Sequence, residues 1–430
     1  MGKDVRETPK SEERVYPEDE LVRERDGLTA TIEAIRGDLR GFVMESGYRV
    51  FLELMEEERQ LLCGPRYEHI GERHAYRHGY DQGRLVFGGR KISVPKPRVR
   101  SLDGKEIELE TWRETSATDP LEDRIMEQII AGVTTRKYSR SLEPAPAEVK
   151  TSSDSRSSVS RMFVARTKEQ VKAFLSRPLG DLDLPVIMVD GTGLGGHLLL
   201  VALGIAADGH KHVLGIVEGT TESSQVCLSL FRNLIDRGLI VERARLFVVD
   251  GGRGIRSAIR TTFGNWALTQ RCHVHKLRNI LDHLPGHKRP WVRQMVRRAL
   301  NEATAKKAKQ QLLRLAKQLE EPHPGAASSV REGLDEVLTL HHLGIRGPLY
   351  RTLRSTNPIE NLQGSIKGFT RHVKRWRSGL MALRWCVTAL SEAERRFRRI
   401  KGFHAMPFLM AALETALEKN RQFDTESEVA

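Results

Sequence analysis

Two continuous apolar runs stand out in the middle of the chain, LPVIMVD (184–190) and ARLFVVD (244–250), and each stops at an aspartate followed by glycine. A run without polar alternation reads as a strand covered on both faces, so each predicts a buried strand ending in an acid. Between them, HLLLVALGIAADG and HVLGIVEG predict two more strands, with Asp208-Gly209 as the hairpin turn that joins them. TESSQVCLSLFRNLIDRG has helical spacing and stops at Gly238; another helix is predicted from about Gly254, and ALTQRC (267–272) is a fifth strand. The order β-β-β-α-β-α-β predicts a mixed five-stranded sheet with helices on its faces.

The flanks have other periods. The first twenty residues are charged and are expected to be disordered. From Leu21 to Leu62, Leu28, Ile32, Ile35, Leu39, Phe42 and Val43 recur at helical spacing and predict one or two amphipathic helices. GRLVFGGRKISVPKPRVR predicts a β-hairpin about Gly88-Gly89 with basic flanks. IMEQIIAG reads as a short helix, and after the polar stretch Lys150–Ser158 a long one runs through SVSRMFVARTKEQVKAFLSR. That sequence fits a helix-turn-helix reader of the major groove, and equally any small helical bundle. Residues 276–343 are helical throughout, broken at Pro322, Pro324 and Gly325, and STNPIEN opens a further helix.

At 430 residues the chain is too long for one ordinary core. The expected division is 1–20 disordered, 21–120 N-terminal helices and hairpin for binding DNA ends, and 121–178 a possible helix-turn-helix. There follow 179–275 as the first part of a catalytic core, 276–345 as an all-α insertion, 346–402 as the last part of the core, and 403–430 as a C-terminal helix and tail.

Charge changes the picture most. Lys and Arg number 70 against 56 Asp and Glu, a net of +14, which favours a polyanionic partner, nucleic acid first and an anionic membrane surface second. Between Arg351 and Lys401 thirteen basic residues face three glutamates. Phe369, Trp376 and Trp385 in that window either stack on bases or belong to the core. Arg371, Lys374, Arg375, Trp376 and Arg377 are the candidate DNA contacts. No stretch reaches the roughly 18 apolar residues of a membrane span, and Cys63, Cys227, Cys272 and Cys386 are too scattered for a disulfide framework. Both point to the cytoplasm.

Candidate chemistry sits at the two strand ends. Asp190 and Asp250 would meet beyond the sheet as like charges, which is costly unless a cation or a shared proton relieves it. Oxygen ligands of this kind suit Mg²⁺ or Mn²⁺. The alternative is that each Asp-Gly merely caps a turn. Glu360 likewise has two readings. In TNPIEN, Asn357 can be the N-cap, Pro358 the first helical residue and Glu360 the third, and spacing alone favours that capping box. Cys272, His273 and His275 match no zinc spacing, so Cys272 and His275 are expected to close the fifth strand and position the helix after it. His69, His74 and His78 lack a cysteine pair and read as exposed. No Walker, GxSxG or HExxH run is present, which disfavours an NTPase, a serine hydrolase and a zinc protease.

Four motifs in order, VDGTGL, VVDGGRGI, QRCHVHKLRNI and STNPIENLQGSIK, resemble the Mutator-like transposases of bacterial insertion sequences, over roughly Gly79 to Leu390. The resemblance implies a ribonuclease-H-like fold whose DDE triad, here Asp190, Asp250 and Glu360, holds two Mg²⁺ or Mn²⁺ ions. It takes Glu360 out of the capping role, and it places the family's Cys-x-x-His element on Cys272 and His275. It also implies a partner in double-stranded DNA, both terminal inverted repeats and target, bound by a homo-oligomer in the bacterial cytoplasm at the nucleoid. NLQGSIKGFTRHVKRW, after Glu360, is less basic at its start than the family's run. A junction resolvase or ribonuclease on the same fold, and a non-catalytic transposase-derived regulator, are the alternatives. Cleavage of four-way junctions or RNA–DNA hybrids would mark the first, and DNA binding without cleavage the second.

Overall fold

The computed structural model describes residues 39–68, 74–117, 121–145, 149–219 and 223–429. The expectations for residues 1–20, for Leu28, Ile32 and Ile35, and for His69 fall outside the described residues. The chain forms two compact units, residues 1–163 and 164–430.

In the first unit, helix α1 (Leu39–Cys63) packs Met55 and Cys63 against a long hairpin of β1 (Ala75–Phe87) and β2 (Arg90–Ser101). The hairpin turns where the sequence predicts, since Gly88 and Gly89 both take positive φ, 56° and 78°, as a two-residue primed turn requires. Strand β3 (Glu106–Ile107) extends the sheet on the other edge of β2, and Trp112 of α2 (Glu110–Ala117) joins the same core. The described part of this region thus sets a hairpin-based sheet among helices, and the helices hold more residues than the strands. Helix α3 (Leu121–Ile130) and helix α4 (Arg156–Ser176) form as predicted, but they do not make a helix-turn-helix. Residues 131–155 join them, and within that stretch β4 (Thr151–Ser152) pairs with β2. A helix-turn-helix needs a turn of three or four residues.

The second unit is built on a five-stranded sheet in the order β7-β6-β5-β8-β9. Its strands are β5 (Val186–Leu194), β6 (His197–Ile205), β7 (Lys211–Gly219), β8 (Arg245–Val249) and β9 (Ala267–Arg271). β6 is antiparallel to both neighbours, whereas β5, β8 and β9 run parallel. Side chains alternate between two cores. Ile187, Val189, Phe247 and Val249 face α5 (Ser224–Asp236) and α6 (Arg253–Phe263), around Phe231 and Phe263. Val186, Met188, Leu246 and Val248 face the opposite side, shared with residues of the C-terminal helices.

Between β9 and the last part of the sheet's cover lies the helical insertion. It comprises α7 (His273–Asp282), α8 (Arg289–Leu300), α9 (Ala305–Leu319), α10 (Pro324–Arg331) and the short turns α11 (Leu334–Val337) and α12 (Thr339–His342). Val296, Leu312, Leu315 and Val330 give it a core of its own. α13 (Gly347–Leu353), α14 (Asn357–Thr370), α15 (Gly379–Glu394) and α16 (Met406–Val429) follow, and Ile359, Ile366, Leu390 and Leu409 close them onto the sheet. Among the described residues no helix is long and apolar enough to cross a membrane.

Candidate active site

Asp190 does not end its strand. β5 continues to Leu194 because β6 pairs with it along its whole length, Asp190 opposite Val201. The parallel ladder with β8, however, covers only Val186 to Met188. Asp190 therefore stands just past the point where its parallel neighbour stops, and Asp250 follows the last residue of that neighbour. Each carboxylate is fixed by its own loop: Gly191 N–H donates to Asp190 Oδ1 at 3.0 Å, and Gly252 N–H to Asp250 Oδ1 at 2.8 Å. The turn reading of Asp-Gly thus holds for one oxygen of Asp250, whose Oδ1 accepts from two residues on, and not for Asp190, which lies within β5.

Glu360 lies in the first turn of α14, but not at the capping-box position. The N-cap is Thr356, not Asn357, and it makes no side-chain cap bond; its carbonyl accepts from both Ile359 N–H and Glu360 N–H. With the helix starting one residue earlier than the spacing suggested, Glu360 is the fourth helical residue and cannot reach back as a cap. Its Oε1 is instead buried with no hydrogen-bond partner, 4.0 Å from His275 Nε2.

The link from Glu360 to Asp190 runs through a residue that sequence reasoning passed over. Gln363, one turn further along α14, donates its amide to Asp190 Oδ2 at 3.2 Å and to the Gly191 carbonyl at 2.9 Å. An amide three residues after a glutamate carries no sequence signal by itself; its role depends on where the helix lies. His275 supplies charge to the same place. Its contact with Cys272 raises its pKa, burial opposes this, and the negative charges of Cys272, Asp190 and Asp250 carry it up to about 9. It is thus a cation at neutral pH, set against the acids.

Cys272 stands directly after β9. It is the N-cap residue of α7, its N–H donates to the Val249 carbonyl, and its sulfur accepts from the Thr356 N–H and hydroxyl at 3.4 and 3.5 Å. His273, by contrast, is buried and donates from Nε2 to the Val337 carbonyl at 2.9 Å.

One end of the sheet thus gathers Asp190, Asp250, Glu360, Gln363 and His275. Three hard carboxylate donors, one with a buried oxygen that no proton donor satisfies, are the right chemistry for a divalent cation. The match lies in donor type and not in a finished cage, because among the described residues no three His, Cys, Asp or Glu side chains are grouped closely enough to hold a metal. His78 is half-buried and His74 exposed, and neither belongs to such a group.

The other candidate contacts lie between α14 and α15. Arg371, Lys374, Arg375 and Arg377 are exposed. Trp376 packs against the turn at Gly195, where an added Cβ would stand 1.9 Å from its ring, Phe369 packs against the same core, and Trp385 is buried edge-on to His372. The aromatics of this window are packing residues.

Residues 27–399 match the family model described as "Transposase, Mutator family". The chain is 26% identical over 335 residues to the transposase for insertion sequence element IS256 in transposon Tn4001 of Staphylococcus aureus, covering 74% of this chain and 81% of that protein. It is 27% identical over 412 residues to the transposase for insertion sequence element IS1081 of Mycobacterium tuberculosis, covering 92% and 94%. With the transposase for insertion sequence element ISRM5 of Rhizobium meliloti it shares 28% over 333 residues, 76% of this chain and 81% of that one.

Proposed function

Because the chain belongs to the Mutator family of transposases, we propose that it is a DNA transposase which cuts at the ends of an insertion sequence and joins the freed 3′-hydroxyl to target DNA. The observation that carries this reading is the placing of Asp190 just past the parallel ladder of β5 with β8 and of Asp250 directly after β8, with Glu360 beside His275 and on the helix whose Gln363 holds Asp190. The strand order, third-second-first-fourth-fifth with the second strand reversed, supports a ribonuclease-H-like core. Asp190, Asp250 and Glu360 would hold two Mg²⁺ or Mn²⁺ ions, which when bound activate the attacking oxygen and stabilise the leaving one.

The chain's own groups do the rest. Gly191 N–H and Gly252 N–H fix one oxygen of each aspartate and so set the direction of the other. Gln363 restrains Asp190 from the helix side. The His275 imidazolium offsets the mutual repulsion of the acids while no other cation does. Two element ends must be held together, so the protein works as a homo-oligomer on DNA, in the bacterial cytoplasm at the nucleoid.

The test is Mg²⁺-dependent cleavage and joining of DNA carrying the element's own ends, with Asp190→Asn, Asp250→Asn and Glu360→Gln alongside. Wild type is expected to cut and join, and all three variants to bind DNA without cutting. Glu360→Gln should leave stability within about 1 kcal/mol of wild type, since it removes a helix-dipole contact and no cap. A Glu360→Gln protein that keeps full activity would remove Glu360 from the triad. A wild type that binds the ends but never cuts would leave a DNA-binding regulator.

A further inference from the structure

Beside the acids runs a groove whose walls are cationic. It begins on α8, where Arg293 and Arg297 stand one helical turn apart, about 6 Å along the axis, and are exposed. It deepens to a cavity of about 420 Å³ between α7, α8 and the α13–α14 junction, with Val274, Leu277 and Val296 as its apolar floor and Arg297, Arg351 and Arg354 on its rim. From there it passes Asn357 and Asn361 at the start of α14 and ends between Arg399 and Lys401. Arg297 and Arg351 line consecutive stretches, so the groove is continuous. Among the described residues Glu302 is the one carboxylate along it, and its Oε1 takes the Gln311 amide. Among the described residues Arg293, Arg297, Arg351 and Lys401 have no acidic partner.

The position of the groove relative to the acids follows from helical geometry. On α14, at about 100° per residue, Asn361, Asn357, Glu360 and Gln363 follow one another around the helix. The first two line the groove, the third is the candidate ligand, and the fourth holds Asp190. The groove thus runs alongside α14, whose next face around the helix carries Glu360 and Gln363. Unpaired arginines spaced along a trough, with an apolar floor that tolerates sugar and base edges, suit a regular polyanion better than a point ligand.

We infer that this groove, with Arg293, Arg297, Arg351 and Lys401 as its phosphate contacts, seats duplex DNA and leads one strand to the Asp190–Asp250–Glu360 end of the sheet. The inference rests on the transposase reading and adds to it the surface on which the substrate lies. It also moves the principal contact away from Arg371–Arg377 and assigns one wall to the helical insertion.

The experiment measures anisotropy of a labelled duplex of about 30 base pairs with the full-length protein, between about 50 and 200 mM salt. The double variant Arg297→Gln/Arg351→Gln is compared with Arg232→Gln/Arg260→Gln, which removes the same charge from exposed positions on α5 and α6, across the sheet. Losing two phosphate contacts should flatten the log-affinity against log-salt slope by about 1.8, whereas the control keeps the wild-type slope. Far-ultraviolet circular dichroism and urea unfolding confirm that both variants fold. Equal slopes and affinities in the groove variant and the control overturn the inference, as does a wild type with no affinity for duplex. Groove-dependent binding of single strands or RNA in preference to duplex overturns the choice of partner.

Cleavage by the wild type, read in parallel, separates the two claims. Cutting with a dispensable groove refutes the groove alone. Groove-dependent binding without cutting refutes the catalytic reading alone.

Discussion

Acid is expected to loosen the joint between the helical insertion and the unit built on the five-stranded sheet, through His273. The ring is 6% exposed, donates from Nε2 to the Val337 carbonyl, and has a buried Nδ1 with no hydrogen-bond partner. A second proton would sit on that nitrogen with nothing to accept it. Burial therefore pushes the His273 pKa down to about 4, only partly opposed by the Val337 carbonyl, with His341 and Arg354 adding to the fall. His341, stacked near it and donating to the Leu300 carbonyl, is pushed down to about 4 in the same way.

An unperturbed histidine takes its proton near 6.5. As the pH falls, the unfolded chain therefore binds protons before the fold does. The stability contributed by the neutral ring is complete above about pH 6.5 and is lost progressively down to about pH 4. A displacement of this size corresponds to roughly 3 kcal/mol for His273, and within the window one such ring changes stability by up to about 1.4 kcal/mol per pH unit. The assay is urea unfolding of wild type and His273→Gln at steps between about pH 7 and 4.5, followed by tryptophan fluorescence. Glutamine can still donate to Val337 but does not titrate. Wild type should lose stability more steeply than the variant, by about 1 kcal/mol per pH unit on average and up to about 1.4 in the middle of the window. Parallel curves would refute the reasoning, because they would mean that the folded state can protonate His273 at no cost.

Two further perturbations test the site and its surroundings. Gln363→Ala removes an amide hydrogen bond to a carboxylate, worth about 1.5 kcal/mol, so the Mg²⁺ concentration for half-maximal cleavage should rise about tenfold while the melting temperature falls by only a few degrees. An unchanged Mg²⁺ titration would show that Gln363 does not position Asp190. Gly195→Ala places a methyl into the Trp376 ring at a residue with φ of 61°, and should cost about 2–4 kcal/mol, from the left-handed conformation and the displaced indole together. It should also alter the tryptophan emission. Wild-type stability in urea would mean that the indole does not rest on this turn.

The parts of the molecule that could be read from sequence are those fixed by local chemistry. β5 and β8 were visible because a strand covered on both faces needs an unbroken apolar run, and the turns at Gly88-Gly89 and Asp208-Gly209 because each demands residues that accept positive φ. The misreadings all involve partners distant in sequence. Asp190 looked like a strand end because nothing local reveals that β6 pairs beyond it. α3 and α4 looked like one motif because the pairing of β4 with β2 is invisible in either helix. The start of α14 was displaced by one residue because Thr356 is held from outside by Cys272. Gln363 and the groove arginines, spread from Arg293 to Lys401, become a site only once the helices are packed.

That outside hold explains how Glu360 can be placed accurately after so long a detour. Cys272 leaves the sheet and Thr356 returns to it 84 residues later, and the Cys272 sulfur accepts from both the Thr356 N–H and its hydroxyl. The tie is repeated next door, where His273 N–H donates to the Arg354 carbonyl at 2.9 Å. The insertion is therefore closed at its neck and has its own core, so strain within it need not reach α14. The sulfur is well suited to accept. Burial alone would raise the thiol pKa, yet contacts with His275 and Thr356 outweigh that and hold it below its ordinary value. Cys272→Ala would orphan two buried donors on Thr356, a residue with no exposure, at about 1–3 kcal/mol. The first turn of α14, and Glu360 with it, would then be free to shift. Cleavage should fall further than the lost stability explains, and Cys272→Ser, which keeps an acceptor on a shorter reach, should recover part of it. If Cys272→Ala loses stability yet cuts at the wild-type rate, the neck serves folding only, and Ile359, Leu362 and Ile366 suffice to hold Glu360 in place.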